Sequence, residues 1–354
     1  MTIEQRIKAF AELGKLLKMC SSTYQNGLME VEGNGSAKRL FELVYSSKYH
    51  NPWFDENHVI KSYQGISHLL EYANLHQWCC TYPNIQLNTG KWVGVVMAGN
   101  IPAVGFHDFL SILISGFGIK IKLSSADNQL LPAMADFLAE LDPWFKSKIE
   151  FVEGPFKEVD AIIATGSTNT ARYFEYYFNK WPNIIRKNRN SIGILTGTES
   201  NEELAGIASD IMSYYGLGCR NISKLWVPNG YNWQALFDQL NAYSQLAMNH
   251  KYFNNYEYQK AIKLVNKVQH FDLGFLLLTE DKALASPISV VHYQTYDSEQ
   301  TVQDYLREHI EQIQCIVTKS DIYEPSVRPG NSQLPGLSDF ADGIDTMHFL
   351  SVLK

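Results

Sequence analysis

The sequence predicts an α/β fold of two interleaved domains with mainly parallel sheets, and three observations carry that prediction. From Lys91 onward, short apolar runs alternate with amphipathic, helix-spaced ones, the pattern of βαβ units. The short runs are apolar along their length, as in parallel strands covered on both faces. Neither an internal repeat nor a low-complexity linker separates the halves, so they are expected to pack together.

Taken in order, the first ninety residues read as mostly helical. Apolar residues recur at helical spacing over 3–19 and 58–74, with a glycine-rich break at 33–36. Strands are expected at 92–97, 118–122, 149–152, 161–165 and 191–195, and helices at 104–115, 130–141, 169–179 and 202–214. After a loop at Cys219 comes a second series, with strands at 224–227, 274–278, 288–292 and 314–318 and helices at 233–248, 256–268 and 302–311. From Arg328 the chain is rich in Gly and Pro, then ends in a short apolar helix.

At 354 residues the chain is long for one ordinary domain and comfortable for two. Hydrophobic residues make up 45% and charged residues 19%, a globular balance that argues against extended disorder. The formal net charge of -7 is spread over both halves, which lacks the basic footprint of a nucleic-acid binder. Cys20, Cys79, Cys80, Cys219 and Cys315 are odd in number and unevenly spaced, with no C-x-x-C pair, against both a disulfide framework and a zinc site. No continuous apolar segment opens the chain as a signal peptide would, and none approaches the ~20 residues of a membrane span. A cytoplasmic location is expected.

The most informative segment runs from Tyr214 to Ser223 (YYGLGCRNIS). A helix pattern stops near a glycine pair, and a cysteine follows, then polar residues and a strand. Glycines let the backbone present a side chain at an open position, and Arg220 beside Cys219 favours the reactive thiolate. The competing reading is a small buried hydrophobe, the commonest fate of a free cysteine. Gly99-Asn100-x-Pro102 lies between a strand and a helix. Asn100 either offers an N–H to a developing oxyanion or caps the helix. Lys122, Ser124 and Ser125 fall at the carboxyl end of a strand, where parallel sheets bind ligands; a solvated lysine is the alternative. Thr165-Gly166-Ser167-Thr168 leads from a buried strand into a helix, which is either an anion site or ordinary turn chemistry. There is no G-x-G-x-x-G. His107 could reach a site near Asn100 as a proton donor, although a lone histidine near a helix start is more often structural.

The order Gly-Asn-x-Pro, Lys-x-Ser-Ser, Thr-Gly-Ser-Thr, Gly-x-Gly-Cys resembles the aldehyde dehydrogenase superfamily in content and approximate spacing. The stretch 214–228 and the C-terminal LPGLSDFADGIDT (334–346) look most like its LuxC-type fatty acyl-CoA reductase branch. The resemblance covers roughly residues 90–350. It implies an aldehyde dehydrogenase-like fold, with a nicotinamide cofactor domain of residues 1–190 plus 326–354, a catalytic domain of 191–325, and an active site in the cleft between them. Cys219 becomes the acylated nucleophile, and Asn100 with the Cys219 backbone N–H the oxyanion hole. Lys122 and Ser124 would touch the adenosine ribose or its phosphate, while Gly166 and Ser167 would lie under the cofactor's pyrophosphate or nicotinamide side. Asp339, Asp342 and Asp345 match the family's terminal segment, so no metal is assigned.

Two departures refine the expectation. Oxidising members carry a Glu-Leu-Gly-Gly segment whose glutamate activates water; the equivalent stretch 186–191 (RKNRNS) has no carboxylate. Ser125 stands where NAD-dependent relatives commonly have a glutamate, leaving room for a 2′-phosphate beside Lys122. The implied activity is reduction of acyl-CoA or an acyl-carrier protein thioester to an aldehyde, with NADPH as cofactor and NADH as second choice. Aldehyde oxidation, acyl phosphate reduction and a non-catalytic member retaining the fold are the alternatives. A homo-oligomer is left open.

Overall fold

The continuous apolar runs become strands of two separate sheets. The structure, a computed structural model, describes residues 1–31, 33, 35–83 and 90–353. It divides into two units, Met1–Lys187 with Pro335–Lys354, and Asn188–Leu334.

The first unit begins with α1 (Ile3–Gln25), α2 (Gly35–His50), α3 (Glu56–Leu69) and α4 (Tyr72–Cys80). Thr2 opens α1 with a capping box, its hydroxyl accepting the Gln5 N–H while the Gln5 side chain accepts the Thr2 N–H. Then follow β1 (Trp92–Val96), α5 (Phe106–Ile114), β2 (Gly118–Lys122), α6 (Leu130–Leu141), the single turn α7 (Pro143–Lys146), β3 (Ile149–Phe151), β4 (Ala161–Thr165), α8 (Thr168–Phe178) and β5 (Asn183–Arg186). The sheet order is β3-β2-β1-β4-β5, with every pairing parallel. The chain starts at the centre on β1, moves outward through β2 to β3, and returns to β4 on the other side. The carboxyl ends of β1 and β4 therefore form a topological switch point, where open parallel sheets bind ligands. Phe10 of α1 is fully buried and meets the edges of Phe106, Phe109 and Phe145, tying α1 to α5 and α7.

The second unit holds β6 (Asn190–Ile194), α9 (Asn201–Met212), β7 (Ile222–Pro228), α10 (Gln234–Asn241), α11 (His250–Val265), β8 (His270–Asp272), β9 (Leu277–Glu280), β10 (Val290–Tyr296), α12 (Glu299–His309) and β11 (Ile313–Thr318). Its sheet order is β11-β6-β7-β10-β9-β8, parallel except for the β8–β9 pair. Residues 326–334 fall in this unit: Val327 bridges to Val317, and its N–H and C=O bond to Ile316 and Thr318. The closing helix α13 (Thr346–Ser351) returns to the first unit, where Met347 and Leu350 are buried.

Several elements differ from the sequence expectation. The helix expected over 58–74 is two, α3 and α4, parted at Leu70–Glu71. That break is tertiary, because no Gly or Pro marks it. Of the expected break at 33–36, position 34 lies outside the described residues, and α2 already starts at Gly35. The expected helix over 233–248 stops at Asn241 and continues as a 3₁₀ turn, while α11 starts at His250 because Asn249 caps it through the Tyr252 N–H. The edge strands β5 and β8 were not expected. They are four and three residues long, too short for a periodic signal.

Candidate active site

At the switch point of the first unit, the strands β2, β1 and β4 end side by side. Lys122 is the last residue of β2 and is exposed, in register with Val96. Asn100 follows β1 and is exposed. It does not cap the next helix: α5 starts at Phe106 with Gly105 at its N-cap position, which removes the capping alternative. Gly166 and Ser167 follow β4. The Gly166 N–H is engaged by the Arg186 carbonyl at 3.2 Å, so this segment offers the exposed Ser167 and the first turn of α8. The Ser167 hydroxyl accepts the Thr170 N–H at 3.2 Å, the ordinary work of an N-cap.

Ser124 folds back on its own turn, its hydroxyl accepting the Ala126 N–H. It also packs against Gly99, where a Cβ would stand 2.6 Å from the Ser124 hydroxyl oxygen, so only glycine fits there. A carboxylate does lie in the turn after β2, at Asp127, but it is buried and turned inward. It accepts the Ala103 N–H at 2.7 Å, fixing the Gly-Asn-x-Pro loop at a residue with positive φ. Burial raises the Asp127 pKa, against the pull of the Ala103, Leu130 and Gln129 amides. Ser125 is exposed. The groups at these strand ends, an ammonium, hydroxyls and an amide, are ones that can hydrogen-bond an anion. The structure thus brings Asn100, Lys122, Ser124, Gly166 and Ser167 to one edge of one sheet.

Cys219 lies in the second unit and is exposed, which removes the buried-hydrophobe reading. The helix before it ends at Met212, earlier than the glycine pair. Tyr214 and Tyr215 then take consecutive left-handed conformations, φ 52° and 57°. Such geometry costs about 1–3 kcal/mol per non-glycine residue and persists only where the surroundings over-determine it. Here Tyr215 is held by Asn249, whose Nδ2 donates to its hydroxyl at 3.1 Å, and by the Tyr252 ring at 5.5 Å. Beyond the turn the Ser191 hydroxyl, from β6, donates to the Cys219 carbonyl at 2.9 Å. Cys20 and Cys79 are buried, and burial pushes both thiols up to about 12; Cys315 is buried too, and Cys80 is exposed.

Three residues that sequence reasoning missed organise these loops. Asn221 is buried and binds the Cys219 turn to the end of α9. Asp210 is fully buried and accepts the Gly330 and Ser332 N–H groups and the Ser332 hydroxyl. Gly206 lets the same segment close on α9, since a Cβ there would meet the Pro329 carbonyl carbon at 2.6 Å. Asn221 was within the quoted motif, and its signal was an amide two residues past the cysteine, where a helix end needs partners.

The stretch 186–191 does meet a carboxylate in the folded chain. Arg186 is buried and pairs through both terminal nitrogens with Asp108 of α5, one of them at 2.9 Å, and also donates to Thr346 at 2.9 Å. His107 is a structural residue: its Nε2 meets the Leu337 carbonyl at 2.9 Å, and its ring packs against Trp78 and Phe340. Among the described residues, no three of His, Cys, Asp or Glu gather as a metal site, and no helix is long and apolar enough to cross a membrane.

Two parallel-sheet units of this topology define an aldehyde dehydrogenase-like α/β fold. Solved aldehyde dehydrogenases share it at low identity. Aldehyde dehydrogenase 21 from Physcomitrella patens, in complex with the reaction product succinate, superposes with a TM-score of 0.63 at 10% identity, over 99% of this chain and 87% of that one. The NAD-dependent aldehyde dehydrogenase from Sinorhizobium meliloti gives 0.63 at 12%, over 92% and 71%. The P. syringae AldA indole-3-acetaldehyde dehydrogenase, in complex with NAD+, gives 0.59 at 13%, over 84% and 69%. No family model and no curated protein matches the chain by sequence.

Proposed function

We propose that the chain is a nicotinamide-dependent reductase of acyl thioesters, of the LuxC type, that works through an acyl-cysteine at Cys219. The observation that carries this reading is the presentation of Cys219, an exposed thiol on a turn held by Asn221, by Ser191 and by the strained Tyr214–Tyr215 pair. Strain of that kind clusters at functional sites. In the reading, the first unit holds the cofactor and the second carries the nucleophile.

The Cys219 thiolate attacks the carbonyl of acyl-CoA or an acyl-carrier thioester. A new carbon–sulfur bond forms, the bond to the coenzyme's sulfur breaks, and the departing thiolate takes up a proton. Asn100 and the Cys219 N–H are assigned the developing oxyanion. Lys122, Ser124 and Ser167 are assigned the dinucleotide, and the NAD+ complexes among the structural neighbours support a nicotinamide cofactor as such. A bound nicotinamide cofactor supplies the hydride that converts the acyl thioester to an aldehyde.

Reduction is preferred over aldehyde oxidation because hydrolysis of the acyl-enzyme needs a base. The residues of 186–191 offer none at neutral pH. The carboxylate that meets this stretch, Asp108, is buried against the Arg186 guanidinium. The test is intact-protein mass spectrometry after incubation with a fatty acyl-CoA. One acyl mass should appear on the wild type and be absent from Cys219→Ala. The adduct should last minutes in buffer and discharge when free coenzyme A is added. A positioned base typically contributes ~10²–10⁴-fold, so rapid discharge in buffer alone would return the protein to aldehyde oxidation.

A further inference from the structure

Lys224 lies five residues past Cys219 on β7, beside Ile192 of β6 and His292 of β10. Its side chain is wholly buried, yet it carries an ammonium. The Nζ donates to the backbone carbonyls of Asp281 at 2.9 Å and Lys282 at 2.8 Å, with Ala283 at 3.4 Å, and sits 5.6 and 5.3 Å from the Trp226 and Tyr305 ring centres. Three consecutive carbonyls thus turn inward onto one charge. The turn is shaped from within by the Ala283 N–H on Asp281 Oδ1, at 2.8 Å, and from β10 by His292 Nδ1 against the Ala283 carbonyl, at 3.0 Å. The next carbonyl, of Leu284, accepts the neighbouring Ser223 hydroxyl at 2.8 Å. Adjacent residues at the root of β7 therefore grip four consecutive carbonyls of one turn. The Ser223 oxygen also lies 3.3 Å from the Ser191 carbonyl, and the Ser191 hydroxyl donates to the Cys219 carbonyl.

We infer that Lys224 is a positioning residue for the Cys219 loop, acting through the 281–284 turn and Ser223. Core filling alone does not account for it. An apolar residue of similar volume would avoid the desolvation of a buried ammonium and is often neutral or stabilising in such places. What the charge adds is direction: three N–H donors aimed at three carbonyls fix the turn, and the turn fixes the strand that leads out of the nucleophile loop.

The groups facing Lys224 set a pH signature. Burial brings its pKa down to about 8, opposed by Asp281. Asp281 is itself held low by the Ala283 N–H, while burial lowers His292 on β10 and Lys263 on α11. From α12 comes the Tyr305 ring, whose hydroxyl burial pushes up to about 12. Between pH 8 and 10.5 the folded chain binds fewer protons here than the unfolded chain, so this group's contribution to stability rises with pH. A neutral amine, however, has two donors for three carbonyls. Above pH 8 the grip loosens with no loss of stability from this group, which separates positioning from unfolding.

The inference rests on the reading of Cys219 as nucleophile, and its test keeps the two apart. The full chain is treated with iodoacetamide, and labelling of Cys219 is compared with that of Cys80, the other exposed cysteine, by peptide mass spectrometry. Lys224→Met should lower the Cys219:Cys80 rate ratio several-fold, Lys224→Arg should keep most of it, and Ser223→Ala should lower it as well. Above about pH 8 the ratio should fall more steeply in the wild type than in Lys224→Arg, because the ionisation of the two thiols is common to both. A folded Lys224→Met with an unchanged or raised ratio overturns the inference. If that variant does not fold, an unchanged ratio in Ser223→Ala does so. A wild-type ratio near one strikes instead at the nucleophile reading, because positioning is read from the change between variants, whatever the starting value.

Discussion

Asn221 Oδ1 accepts the Gly218 N–H at 2.8 Å, while its Nδ2 donates to the Ser213 carbonyl at 2.8 Å and the Asp210 carbonyl at 3.0 Å. One buried carboxamide thereby joins the residue before Cys219 to the open end of α9. Asn221→Ala would leave these groups without their partner, at a cost of about 1–3 kcal/mol. Urea unfolding should show that loss, and acyl loading of Cys219 should slow by more than stability alone accounts for. Unaltered loading in a destabilised but folded variant would reduce Asn221 to a helix-end partner.

Asn100 is exposed and does not cap α5, so a variant there should still fold. Asn100→Ala should slow acylation by ~10²–10³-fold, the usual effect of losing one oxyanion donor and far more than any change in stability accounts for. A wild-type rate would take the residue out of the chemistry.

The Arg186–Asp108 pair makes the opposite kind of prediction. Both side chains are nearly inaccessible, so Asp108→Ala strands a buried guanidinium and should cost about 3–5 kcal/mol. The double variant Asp108→Leu with Arg186→Met should recover most of that loss in urea unfolding. If the single variant were neutral, the pair would not be holding β5 against α5.

Lys122 bears on cofactor choice. Its ammonium stands exposed at the end of β2, and the nearby Asp127 carboxylate is turned away onto the Ala103 amide. Wild-type protein should prefer NADPH, and Lys122→Ala should weaken NADPH by about 10–100-fold with little effect on NADH, since one charge-assisted hydrogen bond contributes about 1.5–3 kcal/mol. Calorimetric titration of both cofactors checks this, and equal wild-type affinities would refute it.

The parts that could be read from sequence are those with a local signature. β4 is an unbroken apolar run and α6 a clean amphipathic one, and both fall where expected. Strand boundaries alone place Lys122, Ser124, Gly166 and Ser167 at strand ends, while a cofactor role for them came only from the family resemblance. What escaped depends on distant partners. Nothing near Leu70 announces the break between α3 and α4, and nothing near Arg186 names Asp108, 78 residues away. The Tyr214–Tyr215 turn escaped for another reason: bulky residues at positive φ contradict local preference, and the contacts that hold Tyr215, from Asn249 and Tyr252, come from a distant part of the chain.

The division of the chain also has a consequence for its synthesis. The second unit is one uninterrupted segment, whereas the first takes α13 from residues made after the whole of the second. Met347 and Leu350 fill its core, Thr346 completes the Arg186 network, and the Leu353 carbonyl accepts from Lys91. On the ribosome the later-made middle segment can mature first, while the earlier-made portion waits with apolar surface uncovered. Deleting α13 should therefore leave an intact second unit attached to an aggregation-prone first one, so the first unit can close only after the whole of the second has been made.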